Sequence, residues 1–388
     1  MKLTRKCRNS LLSAAFAVVF ILLALTPLLP EAEISTRLML NVVGIDTAYG
    51  TVRVTAQTMN GTSSETVHGE GLRIGDALED IAVRYGREPE LGHCGLLVFG
   101  YDVSADDTEF ALMGLLGDAI INAGCSVVSS YGSAEEFVNA AVGLTSAAGD
   151  SIADYAGFAD TSAPVAVPSA LEVLQHLKSK SATAVLPVFE LTAKSGESGE
   201  GTSQNSGTDS TGVQQSGGAN KTEIMPPRRA KVLGRETFEP DEQAVLGWMW
   251  ISERAESGLV ETRADLEGEE YVIQGSASEK KRGIKVRSEN GRVKAELKLE
   301  VKIKFIDRYI IIERADGKNV LRYYVEDLEK AFAATFTSQL EALAALSPRS
   351  DLLGIGTLLY REDPAAYAAW GGDMSAVDYA FDVKVIVF

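Results

Sequence analysis

Hydrolysis is the first chemistry that the polar residues of this chain suggest. A serine hydrolase needs a histidine beside a presented nucleophile, but the sequence has only His68, His93 and His176 and contains no G-x-S-x-G segment. The adjacent acids Asp106 and Asp107 could act in glycoside hydrolysis or hold calcium. In a chain with a formal net charge of −17, such acids are more commonly solvated surface. We therefore assign no catalytic residue.

Histidine and cysteine side chains do not form a recognisable metal motif. His93 and Cys94 are adjacent, so on a strand they would point to opposite faces, and no C-x-x-C or H-x-x-x-H segment accompanies them. Cys94 and Cys125 could form a disulfide outside the cytoplasm. Each lies in an apolar, strand-like run, Cys94–Phe99 and Cys125–Val128, where a buried free thiol is the more common state. We expect no metal, no cofactor and two free thiols.

Glycine-rich and aromatic segments offer two further binding possibilities. The segments Gly69–Gly75 and Gly354–Gly356 lack the G-x-G-x-x-G or GK[ST] spacing of a phosphate loop, so turn glycines are the favoured interpretation. Trp248, Trp250 and Trp370 could form a platform for sugar or peptide, since exposed indole rings give large contact areas. Packing in the core is the favoured role for all three.

The N-terminus carries a hydrophobic leader. Residues 11–29 contain no charge, and Lys2, Arg5, Lys6 and Arg8 precede them. As a helix this segment would reach about 28 Å, close to the hydrocarbon thickness of a bilayer. The basic flank should stay in the cytoplasm and direct the rest across. We predict an export signal or membrane anchor over residues 1–32, with a retained anchor favoured because the small-residue cleavage box is poor.

Charge and length limit the classes of function. The chain after the leader is strongly acidic, which argues against binding nucleic acid or an anionic lipid surface. At 388 residues it is too long for one ordinary core, and two or three domains are expected. We predict a multidomain body outside the cytoplasm, α/β and α+β in class, with mixed and antiparallel sheets flanked by helices and one N-terminal membrane helix before them.

Domain I is predicted over residues 33–131 as α/β. Apolar alternation on both sides of Ala48–Gly50 predicts a hairpin. A helix is predicted over Ile74–Tyr85, then a buried strand in GHCGLLVFG, a helix over roughly 107–123 and a strand over 125–130. Alternating strands and helices favour a mixed sheet.

Domain II is predicted over residues 132–265. Its Ala-rich helices cover 134–144 and 169–178, and a strand follows over 183–191. Residues 195–220 are dominated by Gly, Ser, Thr, Gln and Asn, which bury too little to offset the entropy of ordering. We predict a flexible insertion there.

Domain III is predicted over residues 266–388 as α+β. Residues 293–305 alternate between apolar and charged side chains without a break, which predicts a strand with one wet face. A helix over 325–346 carries an apolar i, i+4 stripe that would cover the dry face. The chain ends in another alternating strand. We expect an antiparallel sheet.

Three short motifs, in order, resemble the Ger(x)C spore germination proteins, the C subunits of germinant receptors. The first is Gly44-Ile45-Asp46 in an extended strand, followed by Gly92-His93 at the start of a buried strand. The second is Phe238, then a charged turn, then a Leu246-Gly247-Trp248 strand. The third set lies in DLLGIGTLLYREDPAAYAAW and comprises Asp351, Gly354, Gly356, Arg361, Pro364 and Trp370.

This resemblance implies a three-domain, non-catalytic body on the outer face of the spore inner membrane. It implies assembly with two integral-membrane partners, the A- and B-type subunits, in a receptor for small-molecule germinants; whether this subunit touches the germinant stays open. Family members are typically lipoproteins, whereas Cys7 precedes the apolar run, so a peptide span would replace the lipid. A surface adhesion module and a secreted carboxylate hydrolase are the alternatives.

Overall fold

The computed structural model describes residues 37–58, 65–118, 120–144, 166–193, 222–252, 258–266, 268–305, 311–313, 319–321 and 325–388. Residues 39–388 belong to one compact unit. The predicted anchor at 1–32 and the predicted insertion at 195–220 lie outside the described residues. None of the helices in the described ranges is long and apolar enough to cross a membrane.

An eight-stranded sheet forms the first half of the body. Its strand order is β3-β2-β1-β5-β6-β7-β8, with β4 paired to β1. The central strands β1, β5, β6 and β7 run parallel, and β2, β3 and β8 are antiparallel to their neighbours. The strands are β1 (Arg37–Ala48), β2 (Thr51–Thr58), β3 (Thr66–Gly71), β4 (Glu88–Glu90), β5 (Leu96–Phe99), β6 (Ser126–Ser130), β7 (Ala184–Ala193) and β8 (Thr222–Leu233).

Helices cover both faces of this sheet. They are α1 (Ile74–Tyr85), α2 (Ala105–Gly117), α3 (Ala134–Leu144) and α4 (Ala170–Lys178). Gly44 of β1 makes room for α3, since an added Cβ would lie 2.9 Å from Val138. Gly69 of β3 makes room for α1. Gly69 shares a register row with Ile45, the neighbour of Gly44, so it faces the opposite side of the sheet from Gly44. α2 packs beside α1 and α4.

A second, four-stranded sheet has the order β14-β11-β10-β9. Its strands are β9 (Gly258–Leu266), β10 (Glu269–Glu289), β11 (Arg292–Phe305) and β14 (Val377–Val387). The helix α6 (Val325–Ala345) covers it, and its predicted stripe is buried: Leu328, Phe332, Phe336, Leu340 and Leu343 are each at most 2% exposed. The short strands β12 (Ile311–Glu313) and β13 (Asn319–Leu321) pair with each other.

Two features of the second half differ from expectation. β10 pairs antiparallel with β9 and β11, but β14 pairs parallel with β11, so this sheet is mixed. A parallel return needs a long crossover, which α6 provides. The Leu246-Gly247-Trp248 segment, predicted as a strand, lies in the helix α5 (Glu242–Ile251), which Asp241 caps at Ala244 N.

Two predicted element ends also shift. α2 ends at Gly117, before the predicted end at 123. Gly92 and His93 form a turn, and β5 begins at Leu96, so this pair precedes the strand and does not start it. The eight-stranded sheet continues through β7 and β8, past the predicted boundary at residue 131. The three-domain division stays a prediction.

Candidate functional site

Gly44-Ile45-Asp46 positions a helix on the end of a parallel strand. The Asp46 carboxylate accepts hydrogen bonds from Ala134 N at 2.8 Å and Glu135 N at 3.0 Å, so it caps the first turn of α3. Burial raises the pKa of this carboxyl, while the two backbone bonds oppose the rise. Gly100 lies against it, and an added Cβ would overlap the carboxylate. The motif therefore docks α3 to the carboxyl edge of the sheet.

Beside this cap lies a buried lysine that sequence analysis missed. Lys231, 1% exposed, donates from Nζ to the carbonyl oxygens of Gly100 at 3.2 Å, Val103 at 2.7 Å and Tyr101. These bonds tie β8 to the loop after β5. The sequence feature that could have identified Lys231 is its position as the single charged residue in the otherwise apolar run Ala230–Leu233.

Lys231→Met is expected to lower the free energy of unfolding by about 2 kcal/mol, because the carbonyls of Gly100, Tyr101 and Val103 each lose the hydrogen bond from Nζ. Burial lowers the pKa of Lys231 from 10.5 to about 8. A depressed lysine pKa means that this group's stabilising contribution is fully present above pH 10.5 and is lost as the pH falls through about 8. The wild-type advantage over Lys231→Met should therefore grow between pH 7.5 and pH 9.5.

Urea unfolding at the two pH values measures this difference. Lys330→Met, at an exposed position on α6, is the matched control and should show no such growth. An advantage that stays constant between the two values would contradict the assignment of the titration to Lys231.

The Phe238 motif fixes the chain that leaves β8. Phe238 pairs with Val232 through two backbone hydrogen bonds, and the Arg349 guanidinium lies 3.8 Å from its ring centre. Arg349 also bonds Glu236 at 2.9 Å. The segment is thus held between the first sheet and the loop after α6.

Gly247 allows α5 and α6 to pack closely against each other. An added Cβ would overlap the Gln339 carbonyl oxygen and lie 2.8 Å from its carbonyl carbon. One turn on, Trp250 Nε1 donates to Gln339 Oε1 at 2.7 Å, and the Trp250 ring packs edge-on against Phe336. The two helices are locked by close packing and one buried hydrogen bond.

The Asp351 motif joins the C-terminal third to the start of β7. Asp351 accepts from Ile355 N at 2.8 Å and Gly356 N at 2.6 Å, at the start of α7 (Ile355–Glu362). On the next residue, Thr357 exchanges hydrogen bonds with Ser181. Burial raises the pKa of Asp351, and bonds from Ser181 and the helix backbone oppose the rise.

We call the residues of these contacts the joint: Ser181, Thr183, Phe238, Gly247, Gln339, Arg349, Ser350, Asp351 and Thr357. They bring the two sheets together through hydrogen bonds and tight packing, with Thr183 and Ser350 bonded at 2.8 Å. Of the remaining motif residues, Gly354 is the left-handed N-cap of α7 and Pro364 opens α8 (Pro364–Trp370). Arg361 is exposed.

The tryptophans do not form one exposed patch. Trp250 is 1% exposed, and Trp248 and Trp370 are partly buried against the same core. Trp370 Nε1 donates to Asp373 O at 2.8 Å. Packing, the favoured interpretation, is confirmed, and the adhesion alternative loses its binding platform.

The acids and histidines considered for chemistry lie apart. Asp107 accepts from its own helix cap, Ser104, at 2.7 Å, while Asp106 is exposed. His68 bonds Thr55 and His93 lies exposed in its turn. Over the described ranges, His, Cys, Asp and Glu do not gather in any group of three that could hold a metal ion.

A cleft of about 240 Å³ opens at the tip of the β1–β2 hairpin. Three of its lining side chains are large, apolar and exposed: Tyr49 fully, Leu72 by 75% and Phe110 by 54%. Tyr49 has φ +53°, a left-handed conformation that non-glycine residues rarely adopt. Asp107 is the charged residue among the described lining side chains. The sequence predicted the hairpin turn that carries Tyr49 but not the cleft beside it.

The fold and the joint define a two-sheet α/β body whose motif residues cap helices and close the packing between layers. Family models match both halves: "Spore germination protein N-terminal domain" over residues 30–191 and "Spore germination B3/GerAC like, C-terminal" over residues 239–387. The chain belongs to the Ger(x)C family of spore germination proteins, the C subunits of germinant receptors.

Two other comparisons add less. A crystal structure of the GerBC protein aligns with 89% of this chain and 96% of its own, at 11% identity and a TM-score of 0.49. No curated protein matches the sequence.

Proposed function

We propose that this protein is the membrane-anchored C subunit of a nutrient germinant receptor. Its body stands outside the cytoplasm, on the outer face of the spore inner membrane, and it acts by assembly with the A- and B-type integral-membrane subunits. It catalyses no reaction. The match of both family domains, in order, along the two sheets is the observation that carries this proposal.

The roles of the motif residues support a scaffold. The carboxylates of Asp46 and Asp351 accept hydrogen bonds from helix backbone N–H groups, and Gly247 allows two helices to pack closely. A catalytic carboxylate must instead reach a substrate from a cleft. These roles favour a rigid body that presents binding surfaces to other proteins over one that catalyses a reaction.

Deletion of the gene is the direct test. In a spore-forming host that lacks its other germinant receptor genes, the deletion should abolish germination on the nutrients that trigger the parent strain, and the wild-type gene should restore it. Germination with non-nutrient triggers such as calcium dipicolinate should persist, because the downstream machinery is intact. Unchanged nutrient germination would overturn the proposal.

We place the contact with an integral-membrane subunit at the hairpin cleft. Exposed aromatic and leucine side chains grouped around one concavity are typical of protein contacts. Tyr49 and Gly50 form the two-residue turn between β1 and β2, which requires a positive φ at both positions. A fully exposed tyrosine in that conformation costs about 1 kcal/mol relative to glycine, so its presence favours a role in binding. Because the charged lining side chain is Asp107 and the chain is acidic, the occupant should be an apolar segment that carries a basic residue.

The double variant Tyr49→Gly with Phe110→Ser is expected to reduce recovery of partner subunits about tenfold, because two aromatic anchors are lost. Stability should change by less than about 0.5 kcal/mol at Tyr49, since relief of strain offsets the entropy of glycine in the unfolded chain. Co-purification from detergent-solubilised spore membranes measures recovery. Leu259→Ser, at a 68% exposed position on β9, is the control. Equal recovery of partner subunits with the wild type, the double variant and Leu259→Ser would show that the cleft is not part of the interface.

A further inference from the structure

Two thiols lie close together at the edge of the eight-stranded sheet where two of its parallel strands begin. Cys94 and Cys125 are each 3% exposed, and their sulfur atoms lie 3.8 Å apart. Neither belongs to a strand, contrary to the sequence expectation: Cys94 follows the Gly92-His93 turn, and Cys125 directly precedes β6. The pair sits where the parallel strands β5 and β6 begin, with Leu96 paired to Ser126.

The backbone around both thiols is already fixed. Cys94 N donates to Leu91 O at 2.9 Å, and Cys125 N donates to Asn122 O at 3.0 Å. The next residues are bonded to each other, Ser126 N to Gly95 O at 3.1 Å. A disulfide bond is about 2 Å long, so each sulfur needs to move by only about 1 Å, within reach of a side-chain rotation. The Cys94 thiol gives up its weak bond to Leu96 O in the process.

We propose that Cys94 and Cys125 form an intramolecular disulfide in the mature protein. The inference rests on the proposed location outside the cytoplasm, where disulfides form and persist. The oxidant is the disulfide of an exported thiol–disulfide oxidoreductase. One cysteine thiolate attacks a sulfur of that disulfide and releases one oxidant thiolate. The second cysteine thiolate then attacks the mixed disulfide and releases the other. Two protons pass from the cysteines to the departing thiolates, so two thiols are oxidised and one disulfide is reduced.

Oxidation should accompany folding and should not follow it. The neighbouring Cys94 thiol and burial both raise the pKa of Cys125, so the folded protein holds almost no reactive thiolate there. Before the loops close, both thiols have ordinary reactivity. The folded, reduced protein should therefore resist oxidation, and the folded, oxidised protein should resist mild reductants.

The cross-link closes a loop between residues 31 positions apart in sequence, and α2 lies within it. Closing a loop of that length constrains the unfolded chain, and for a body of this size the expected rise in melting temperature is about 5 °C. The bond would hold together the amino ends of β5 and β6, at the opposite ends of these strands from Asp46 and Lys231.

The test uses the full-length chain in detergent with Cys7→Ser, so that no third thiol competes. The protein is unfolded in denaturant, refolded with oxidised and reduced glutathione, and digested after acid quench and alkylation with N-ethylmaleimide. Mass spectrometry should find Cys94 and Cys125 peptides joined, and the melting temperature should exceed that of the reduced form by about 5 °C. In Cys94→Ser the oxidised and reduced preparations should melt alike. Two alkylated cysteines after refolding would overturn the pairing wherever the protein resides.

A second measurement separates this inference from the proposed function. Spore membranes are quenched and alkylated without refolding, and protease accessibility of the body is measured in the same preparation. Joined peptides support the inference. Free thiols in a body that protease reaches from outside overturn it. A body inaccessible from outside overturns the proposed location, and the refolding experiment then decides by itself whether the two thiols pair.

Discussion

Gly247→Ala is expected to lower the free energy of unfolding by about 3 kcal/mol, because the added methyl group overpacks the contact between α5 and α6. The added carbon would overlap the Gln339 carbonyl, which belongs to helix backbone and cannot rotate away. α5 would have to move off α6, and the Trp250–Gln339 hydrogen bond and the packing of Trp250 on Phe336 would be strained. Urea unfolding followed by tryptophan fluorescence measures the loss.

Gly75→Ala is the matched control for Gly247→Ala. Gly75 is the second residue of α1, is exposed, and has open space around its missing Cβ. Alanine there should raise stability by about 0.5 kcal/mol, because glycine loses more entropy than alanine when a helix forms. A decrease of less than about 1 kcal/mol in the free energy of unfolding for Gly247→Ala would contradict this prediction, because it would show that α5 and α6 can move apart at little cost.

The second sheet shows what local periodicity predicts well. The alternation over residues 293–305 predicted the strand β11. The apolar residues of this alternation, from Val293 to Ile303, are at most 1% exposed. The apolar stripe over residues 325–346 predicted the helix α6, which covers these strand residues. Both patterns arise because each element buries one face and wets the other, which leaves a periodic record in the chain.

α5 was mispredicted for the opposite reason. Six of its ten residues are buried, including Gly247, Met249 and Trp250, so the apolar positions have no helical period. The strand was predicted from the resemblance to the family's Leu-Gly-Trp motif, and a short continuous apolar run cannot by itself distinguish a strand from a buried helix. The decisive local signal was Asp241, whose carboxylate caps Ala244 N.

Contacts between distant residues are the part that the sequence could not supply. Lys231 finds its acceptors about 130 positions earlier, and Ser181 meets Thr357 from 176 positions away. The parallel pairing of β14 with β11 likewise depends on how the chain crosses the sheet after α6. For several of the motif residues the structure supplies a physical role: Asp46 and Asp351 cap helices, and Gly247 allows α5 and α6 to pack closely.

Asp351→Ala is expected to cost about 2–4 kcal/mol, because Ile355 N and Gly356 N would lose their acceptor in a site where Asp351 is only 8% exposed. Asp351→Asn keeps one acceptor oxygen and should cost about half as much. Asp363→Ala is the matched control: Asp363 caps Ala365 N and Ala366 N of α8 in the same way but is exposed, so its loss should cost about 0.5–1 kcal/mol.

The pH dependence of Asp351→Asn gives a separate check on the buried carboxylate. Burial raises the pKa of Asp351 above the unfolded value of 3.8, so the folded state binds the proton more tightly than the unfolded state. The stabilisation from this group is fully present below pH 3.8 and is lost as the pH rises through the raised pKa. The wild type should therefore gain stability relative to Asp351→Asn between pH 7 and pH 4, in urea titrations at each pH. A relative loss over that range would mean that the hydrogen bonds from Ser181 and the helix backbone outweigh burial, and that the joint is held by a charged carboxylate.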